Sequence, residues 1–161
     1  MPRRPFNGAT VLVTGAGGGL GRAIAEQFAA AGAHIVALDK DAAAVASLQA
    51  TLEARGRACL SLPCDVTDPD ACARAIAAAI ERFGALDVLV NNAGMSHRSG
   101  LAETDLAVIR RVMDVNFYGA VHCTKAALPC LIARRGLVIA ISSVAGYTPL
   151  IARTGYAASK H

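Results

Sequence analysis

Apolar residues along this chain fall into short, nearly continuous runs separated by longer stretches that are apolar on one face only. Ala9-Thr10-Val11-Leu12-Val13 is such a run, and it suits a strand buried on both sides. His34-Ile35-Val36-Ala37-Leu38, Ala58 to Leu62, Leu86 to Val90 and Leu137 to Ile141 repeat the pattern. Between the first two runs, Leu20, Ile24, Phe28 and Ala31 recur at helical spacing, and Gly32 closes that helix. Asp41 is placed to cap a second helix reaching Arg55, with Gly56 as its stop. Asp68-Pro69 has the form of an N-cap followed by proline at the first helical position. The helix it opens carries Cys72, Ile76 and Ile80 and ends near Phe83-Gly84.

A long helix is expected from about Thr104 to Ala133. Leu106, Ile109, Met113, Phe117 and Ala120 form one apolar stripe; Val108, Val112, Val115 and Cys123 form another. Two apolar faces predict burial against the sheet on one side and against a partner subunit on the other, and a homodimer or homotetramer is expected of the full-length protein. Pro129 lacks the amide that would bond the Lys125 carbonyl, so a bend or the last turn is expected there. A new helix starts at Tyr156. Alternation of strand and helix over 161 residues, with no linker or internal repeat, predicts one α/β domain with a doubly wound parallel sheet.

Composition narrows the function classes. Apolar residues at 54% exclude a disordered chain, yet no aliphatic run approaches the roughly 18 residues of a membrane span. Net charge is +4, but Arg3-Arg4, Arg110-Arg111 and Arg134-Arg135 are isolated pairs rather than a stripe. No nucleic-acid partner is expected. Met1-Pro2-Arg3-Arg4 is basic without a following apolar signal segment, so the expected location is cytoplasmic. Five cysteines, an odd number with no C-x-x-C, read as reduced and mostly buried thiols. The four histidines stand at no ligand spacing to them, and no metal site is expected.

The chemistry begins at Thr14-Gly15-Ala16-Gly17-Gly18-Gly19-Leu20-Gly21, between the first strand and the first helix. Glycines there let backbone approach a pyrophosphate, and the helix start offers free amides. A plain tight turn needs glycine as well. Asp39 ends the second strand, where its carboxylate can accept hydrogen bonds from ribose hydroxyls and repel a 2′-phosphate. NAD is therefore expected over NADP, although Lys40 follows and weakens the argument. No Gly-Lys-Ser/Thr follows the glycines, which excludes a Walker loop. Tyr156 and Lys160 lie four apart, on one face of a helix, where an ammonium can stabilise the phenolate left by proton transfer. Alone, that pair recurs by chance. Ser143 ends the fifth strand, at the edge where open α/β sheets bind ligands.

Together these residues resemble the classical short-chain dehydrogenase/reductase family. The matching elements, in order, are Thr14-Gly15-x-x-x-Gly19-x-Gly21, Asp65-Val66, Asn91-Asn92-Ala93-Gly94, Asn116, and Ser143 ahead of Tyr156-x-x-x-Lys160. The resemblance implies a Rossmann-type sheet of order 3-2-1-4-5 and a single NAD(P)-binding domain over 1–161. It implies a cofactor held by Gly15, Gly17, Gly18, Gly19, Leu20, Gly21 and Asp39. Asp65 would accept from the adenine amino group, with Val66 against the ring. Asn92, Ala93 and Gly94 would line the cofactor, while Asn91 supports the sheet. Tyr156 would be the general acid/base, Ser143 would position the substrate oxygen, and Lys160 would also hold the nicotinamide ribose. Asn116 would hold a water linking Lys160 to solvent. The implied reaction interconverts a small-molecule alcohol and carbonyl by hydride transfer. Family members continue beyond this motif, so the chain is expected to be truncated after Lys160 and inactive by itself. The alternative is a dinucleotide-binding fragment, or a partner-binding module, without turnover.

Overall fold

A computed structural model of the chain describes residues 6–148 and 150–161. The basic start Met1-Pro2-Arg3-Arg4 and Pro149 lie outside the described residues. Among the described residues, five parallel strands form one sheet: β1 (Thr10–Thr14), β2 (His34–Asp39), β3 (Cys59–Pro63), β4 (Val88–Asn91) and β5 (Leu137–Ala140). Their order is β3-β2-β1-β4-β5, with Val11 registered between Ile35 and Val88. This is the doubly wound, Rossmann-type arrangement expected from the alternation of elements.

Strand geometry divides the core in two. Successive side chains of β1 point to opposite faces, so Val11 and Val13 enter one layer and Leu12 the other. The first layer packs against α1 (Gly19–Ala30) and α2 (Ala42–Glu53) through Ala25, Ala29, Val45 and Leu48. The second packs against α3 (Pro69–Phe83) through Cys72, Ile76 and Ala79. Each large aliphatic side chain buried in this way contributes about 1.5–3 kcal/mol. The caps follow the sequence. The Asp41 carboxylate accepts from the Ala44 amide at 3.0 Å, and Asp68 accepts from Asp70 and Ala71. Gly84 ends α3 in a left-handed conformation at φ +80°.

The long helix differs from the expectation in three ways. Asp105 caps it by accepting from Ala107 at 2.8 Å, so α4 (Leu106–Met113) starts after Thr104, whose hydroxyl instead donates to the Gly100 carbonyl. A π turn at Asp114–Tyr118 then interrupts the helix before α5 (Gly119–Arg134). Pro129 is not in the last turn, because α5 runs on to Arg134. The missing amide is outweighed by anchors beyond it: Leu131 is buried, and the Cys130 sulfur takes the Leu86 amide at 3.3 Å. Of the two stripes, Val112 and Cys123 face the core, continued by Ala127 and Leu131, while Leu106 and Phe117 are exposed.

β5 forms the sheet margin, with Leu137 and Val138 exposed and Ile139 packed into the first core layer. A 3-10 turn at Val144–Gly146 leads toward α6 (Thr154–Lys160), which starts two residues before Tyr156. Among the described residues, no helix is long and apolar enough to cross a membrane.

Candidate functional site

The carboxyl ends of β1, β2, β3 and β4 meet at one edge of the sheet. A cleft of about 310 Å³ opens there, lined by Gly15, Asp39, Lys40, Cys64, Asp65, Val66, Ala93, Gly94, Met95, Arg111 and Val115. Its floor is the glycine loop. Gly15 turns the chain at φ +64° and Gly19 at φ +51°, conformations that disfavour side chains. A Cβ on Gly21 would lie 2.0 Å from the Gly15 carbonyl oxygen, so only glycine lets α1 approach the loop this closely. Gly18 and Gly19 have open space where a side chain would stand. That opening, at the amide-bearing start of α1, is a cradle of the kind a pyrophosphate requires.

Asp39 is fixed from two sides. The Gly17 amide donates to one carboxylate oxygen at 3.0 Å and the Asp41 amide to the other at 3.1 Å. The carboxylate therefore faces the loop at the end of β2, where the sequence placed it. Leu20 departs from expectation. Its side chain lines a separate apolar groove with Phe6, Ile24 and Phe28, so only its backbone belongs to the loop.

Across the cleft, Asp65 and Val66 form the wall that follows β3. The Thr67 amide donates to Asp65 at 3.0 Å and holds its carboxyl below the ordinary range. The Thr67 hydroxyl, Arg111 and Lys40 act in the same direction, while burial opposes them. Arg111, from α4, approaches the other Asp65 oxygen at 3.9 Å.

After β4, Ala93 and Gly94 line the cleft, but the Asn92 side chain does not. It donates to the carbonyls of Thr14 and Gly15 at 2.9 and 3.1 Å, bracing the glycine loop from behind. Thr14 completes this brace, because its hydroxyl accepts from the amides of Asn92 and Ala93. Asn91 donates to the Thr124 hydroxyl at 2.9 Å and ties β4 to α5.

Asn116 sits in the π turn, buried. Its oxygen accepts from the Met95 amide at 2.8 Å; its nitrogen donates to the Met95 carbonyl at 3.0 Å and to Ser159 Oγ at 2.8 Å. Both N–H donors of Asn116 are therefore engaged by protein. A water at Asn116 would thus donate to an oxygen of this residue, side-chain or backbone, rather than accept from its amide nitrogen. π turns often mark functional positions, and here the turn seats Asn116 between the loop after β4 and α6.

Tyr156 and Lys160 share one face of α6. Lys160 Nζ donates to the Ile141 carbonyl at 2.8 Å and would lie 3.6 Å from a Cβ on Gly94. The ammonium thus stands beside the cleft wall. Ser143 caps the 3-10 turn, accepting from Ala145 at 3.2 Å. That turn packs on α6, where the Ser142 hydroxyl donates to the Lys160 carbonyl at 3.2 Å. Sequence reasoning missed Ser159, Arg111 and the π turn. None has a motif of its own, and the spacing from Asn116 to Ser159 acquires meaning only in the fold.

Comparison with known proteins agrees with this geometry. The family model for short chain dehydrogenases matches residues 9–161. A dehydrogenase/reductase SDR family member 7B from Bos taurus is 45% identical over 95% of this chain and 49% of its own length. The chain spans about half the length of such relatives. A short chain dehydrogenase/reductase from Burkholderia phymatum, solved in complex with NAD, superposes with a TM-score of 0.94 at 33% identity, over 97% of this chain and 56% of that one. A 7 alpha-hydroxysteroid dehydrogenase complexed with NADH and 7-oxo glycochenodeoxycholic acid gives 0.93 at 30% identity, over 98% and 62%. Sequence match, sheet order and the Gly15-to-Lys160 edge agree, and the chain belongs to the short-chain dehydrogenase family.

Proposed function

We propose that the protein is an NAD(H)-dependent oxidoreductase that interconverts an alcohol and a carbonyl on a small molecule. The observation that carries the reading is the Asn116 bridge. It joins Met95, in the loop after β4, to Ser159 on the helix that carries Tyr156 and Lys160, and Lys160 Nζ would lie 3.6 Å from a Cβ on Gly94 in the cleft lining. The glycine loop, Asp39 and the cleft wall fit a dinucleotide. The open backbone at Gly18 and Gly19 suits the pyrophosphate, the Asp39 carboxylate suits the ribose hydroxyls, and the Asp65–Val66 wall suits the adenine. When bound, the nicotinamide ring supplies or accepts the hydride.

The chain's own residues handle the proton. The Tyr156 hydroxyl gives its proton to the carbonyl oxygen in reduction, leaving a phenolate, and in oxidation the phenolate oxygen takes the proton from the alcohol. Lys160 lies one helical turn away on the same face, with its side-chain nitrogen beside Gly94 of the cleft lining. Ser143, at the cap of the 3-10 turn after β5, offers a hydroxyl to the same substrate oxygen. NAD is preferred over NADP because the fixed Asp39 carboxylate repels a 2′-phosphate.

The test is made in the full-length protein with Tyr156→Phe, which removes the dissociable proton and keeps the ring. NADH affinity, read from nucleotide fluorescence, stays at the wild-type value, and turnover on responsive alcohols falls by about 10²–10⁴-fold. Lys160→Met weakens both. A Tyr156→Phe variant with undiminished turnover overturns the mechanism. NADH binding with no turnover on any alcohol or carbonyl favours a second reading, a dinucleotide-binding module, to which the exposed β5 flank would offer a partner surface.

A further inference from the structure

Two segments lie close to Tyr156 in the chain or the fold: residues 95–105 between β4 and α4, and residues 150–153 before α6. They are joined directly. The Ser99 amide donates to the Ala152 carbonyl at 3.1 Å, and an Arg153 N–H donates to the Ser96 hydroxyl. Ala152 adopts a left-handed conformation at φ +60°, which a non-glycine residue accepts at a cost in strain. That turn delivers Arg153 over the Tyr156 ring, with the guanidinium carbon 5.8 Å from the ring centroid.

The charge around this guanidinium is unbalanced. Among the described residues, neither Arg153 nor the exposed Arg98 has a carboxylate within ion-pair distance. The two acids of the facing loop are turned onto their own backbone. Glu103 folds against Gly100, and Asp105 caps α4. Lys160 adds a further positive charge on the same helix as Tyr156. Arg153 has five N–H donors in a planar fork, and the Ser96 contact leaves donors for a second acceptor.

We propose that Arg153 is a substrate-recognition residue that binds a carboxylate or phosphate group carried by the substrate a few bonds from its reacting carbon. The proposal rests on the alcohol–carbonyl reading above and specifies its substrate class. Planar oxyanions match the guanidinium fork bidentately. Held over Tyr156, such a group orients the neighbouring carbonyl toward the phenol, so an anionic substrate is aligned where a neutral analogue is not.

The test uses two matched pairs of ketones: levulinate with its methyl ester, and hydroxyacetone phosphate with hydroxyacetone. Binding to wild type, Arg153→Lys and Arg153→Met is measured by ligand-observed NMR, with and without NADH. Wild type binds at least one anionic member about tenfold more tightly than its neutral partner, and the pair that responds identifies carboxylate or phosphate. Arg153→Lys keeps a reduced preference and Arg153→Met has none, while NADH affinity is the same in all three. Equal binding of charged and neutral members by wild type overturns the proposal. So does an Arg153→Met protein that keeps the preference. A purely structural role for Arg153 would weaken both members of a pair equally in both variants. Failure of wild type to bind NADH would instead sink the oxidoreductase reading, and the cofactor-free titrations would still decide the Arg153 comparison.

Discussion

Asn116 Nδ2 donates to Ser159 Oγ at 2.8 Å, and this buried bond links the π turn to the helix that bears Tyr156 and Lys160. Ser159 in turn donates to the Tyr156 carbonyl at 2.8 Å. Asn116 also grips both backbone groups of Met95. Asn116→Ala leaves the part-buried Met95 backbone groups and the buried Ser159 short of partners. The expected loss is about 1–3 kcal/mol of unfolding free energy, read from a urea midpoint. Ser159→Ala removes one of these bonds and costs less. A neutral Asn116→Ala would show that α6 is held in place by other contacts.

The sheet and most helix limits were legible because their signals are local. The β1 run, the Asp41 and Asp68 caps and the Gly84 stop each act within a few residues. The π turn was not legible, since Asp114–Tyr118 continues the helical pattern on both sides. Its reason is tertiary: it aims Asn116 at Met95 and Ser159. Of the two expectations at Pro129, the last turn fails for a tertiary reason too, because Cys130 and Leu131 anchor the helix beyond it. At the site, the glycine loop, Asp39 and the Tyr156–Lys160 pair were singled out by type and spacing, and Asp65 only through the family resemblance. Asn92 could be placed but not oriented, and only the fold shows it bracing the loop backbone.

The glycine loop separates two kinds of glycine. At Gly21 a Cβ would lie 2.0 Å from the Gly15 oxygen and 2.5 Å from the Asn92 amide nitrogen, so backbone must move. Gly21→Ala is expected to lower the thermal midpoint and to abolish NADH binding. At Gly18 nothing lies within 4 Å, and its φ of −157° is open to any residue. Gly18→Ala should keep the wild-type midpoint, so any change in NADH affinity reports on the cradle itself. Equal midpoints for the two variants would contradict the close approach of α1 to the loop.

The position of Asp39 sets the expected cofactor preference. Gly17 and Asp41 hold its carboxylate in place, and the paired charge of Arg111 is directed at Asp65. Calorimetric titration should give tighter binding for NADH than for NADPH. In Asp39→Ala the repulsion is gone, and Lys40 in the cleft lining favours a 2′-phosphate, so the ratio should move toward NADPH by at least about tenfold. Wild type that binds NADPH as tightly as NADH would refute the role given to Asp39.

The thiols buried beneath the cleft predict an alkaline limit to stability. The Cys72 and Cys123 sulfurs lie 3.5 Å apart between α3 and α5, and both residues are fully buried. The hydrogen bond shared with Cys123, together with burial, pushes the Cys72 thiol up to about 12, although its bond with Cys64 acts in the opposite direction. Cys64 is raised as well, first by its hydrogen bond to Cys72 and then by burial. A thiol raised on folding remains protonated in the native state while the unfolded chain already ionises. Its contribution to stability is complete below the ordinary value of 9.0 and is lost as pH rises toward about 12. The urea midpoint should therefore fall across that interval, and the fall should be shallower in Cys72→Ala, which has one fewer thiol to ionise. Cys72→Ala itself lowers the midpoint at neutral pH, because it leaves a small cavity against Ile76 and Cys123. Identical slopes for the variant and the wild type would show that Cys72 ionises as readily in the folded chain as in the unfolded one.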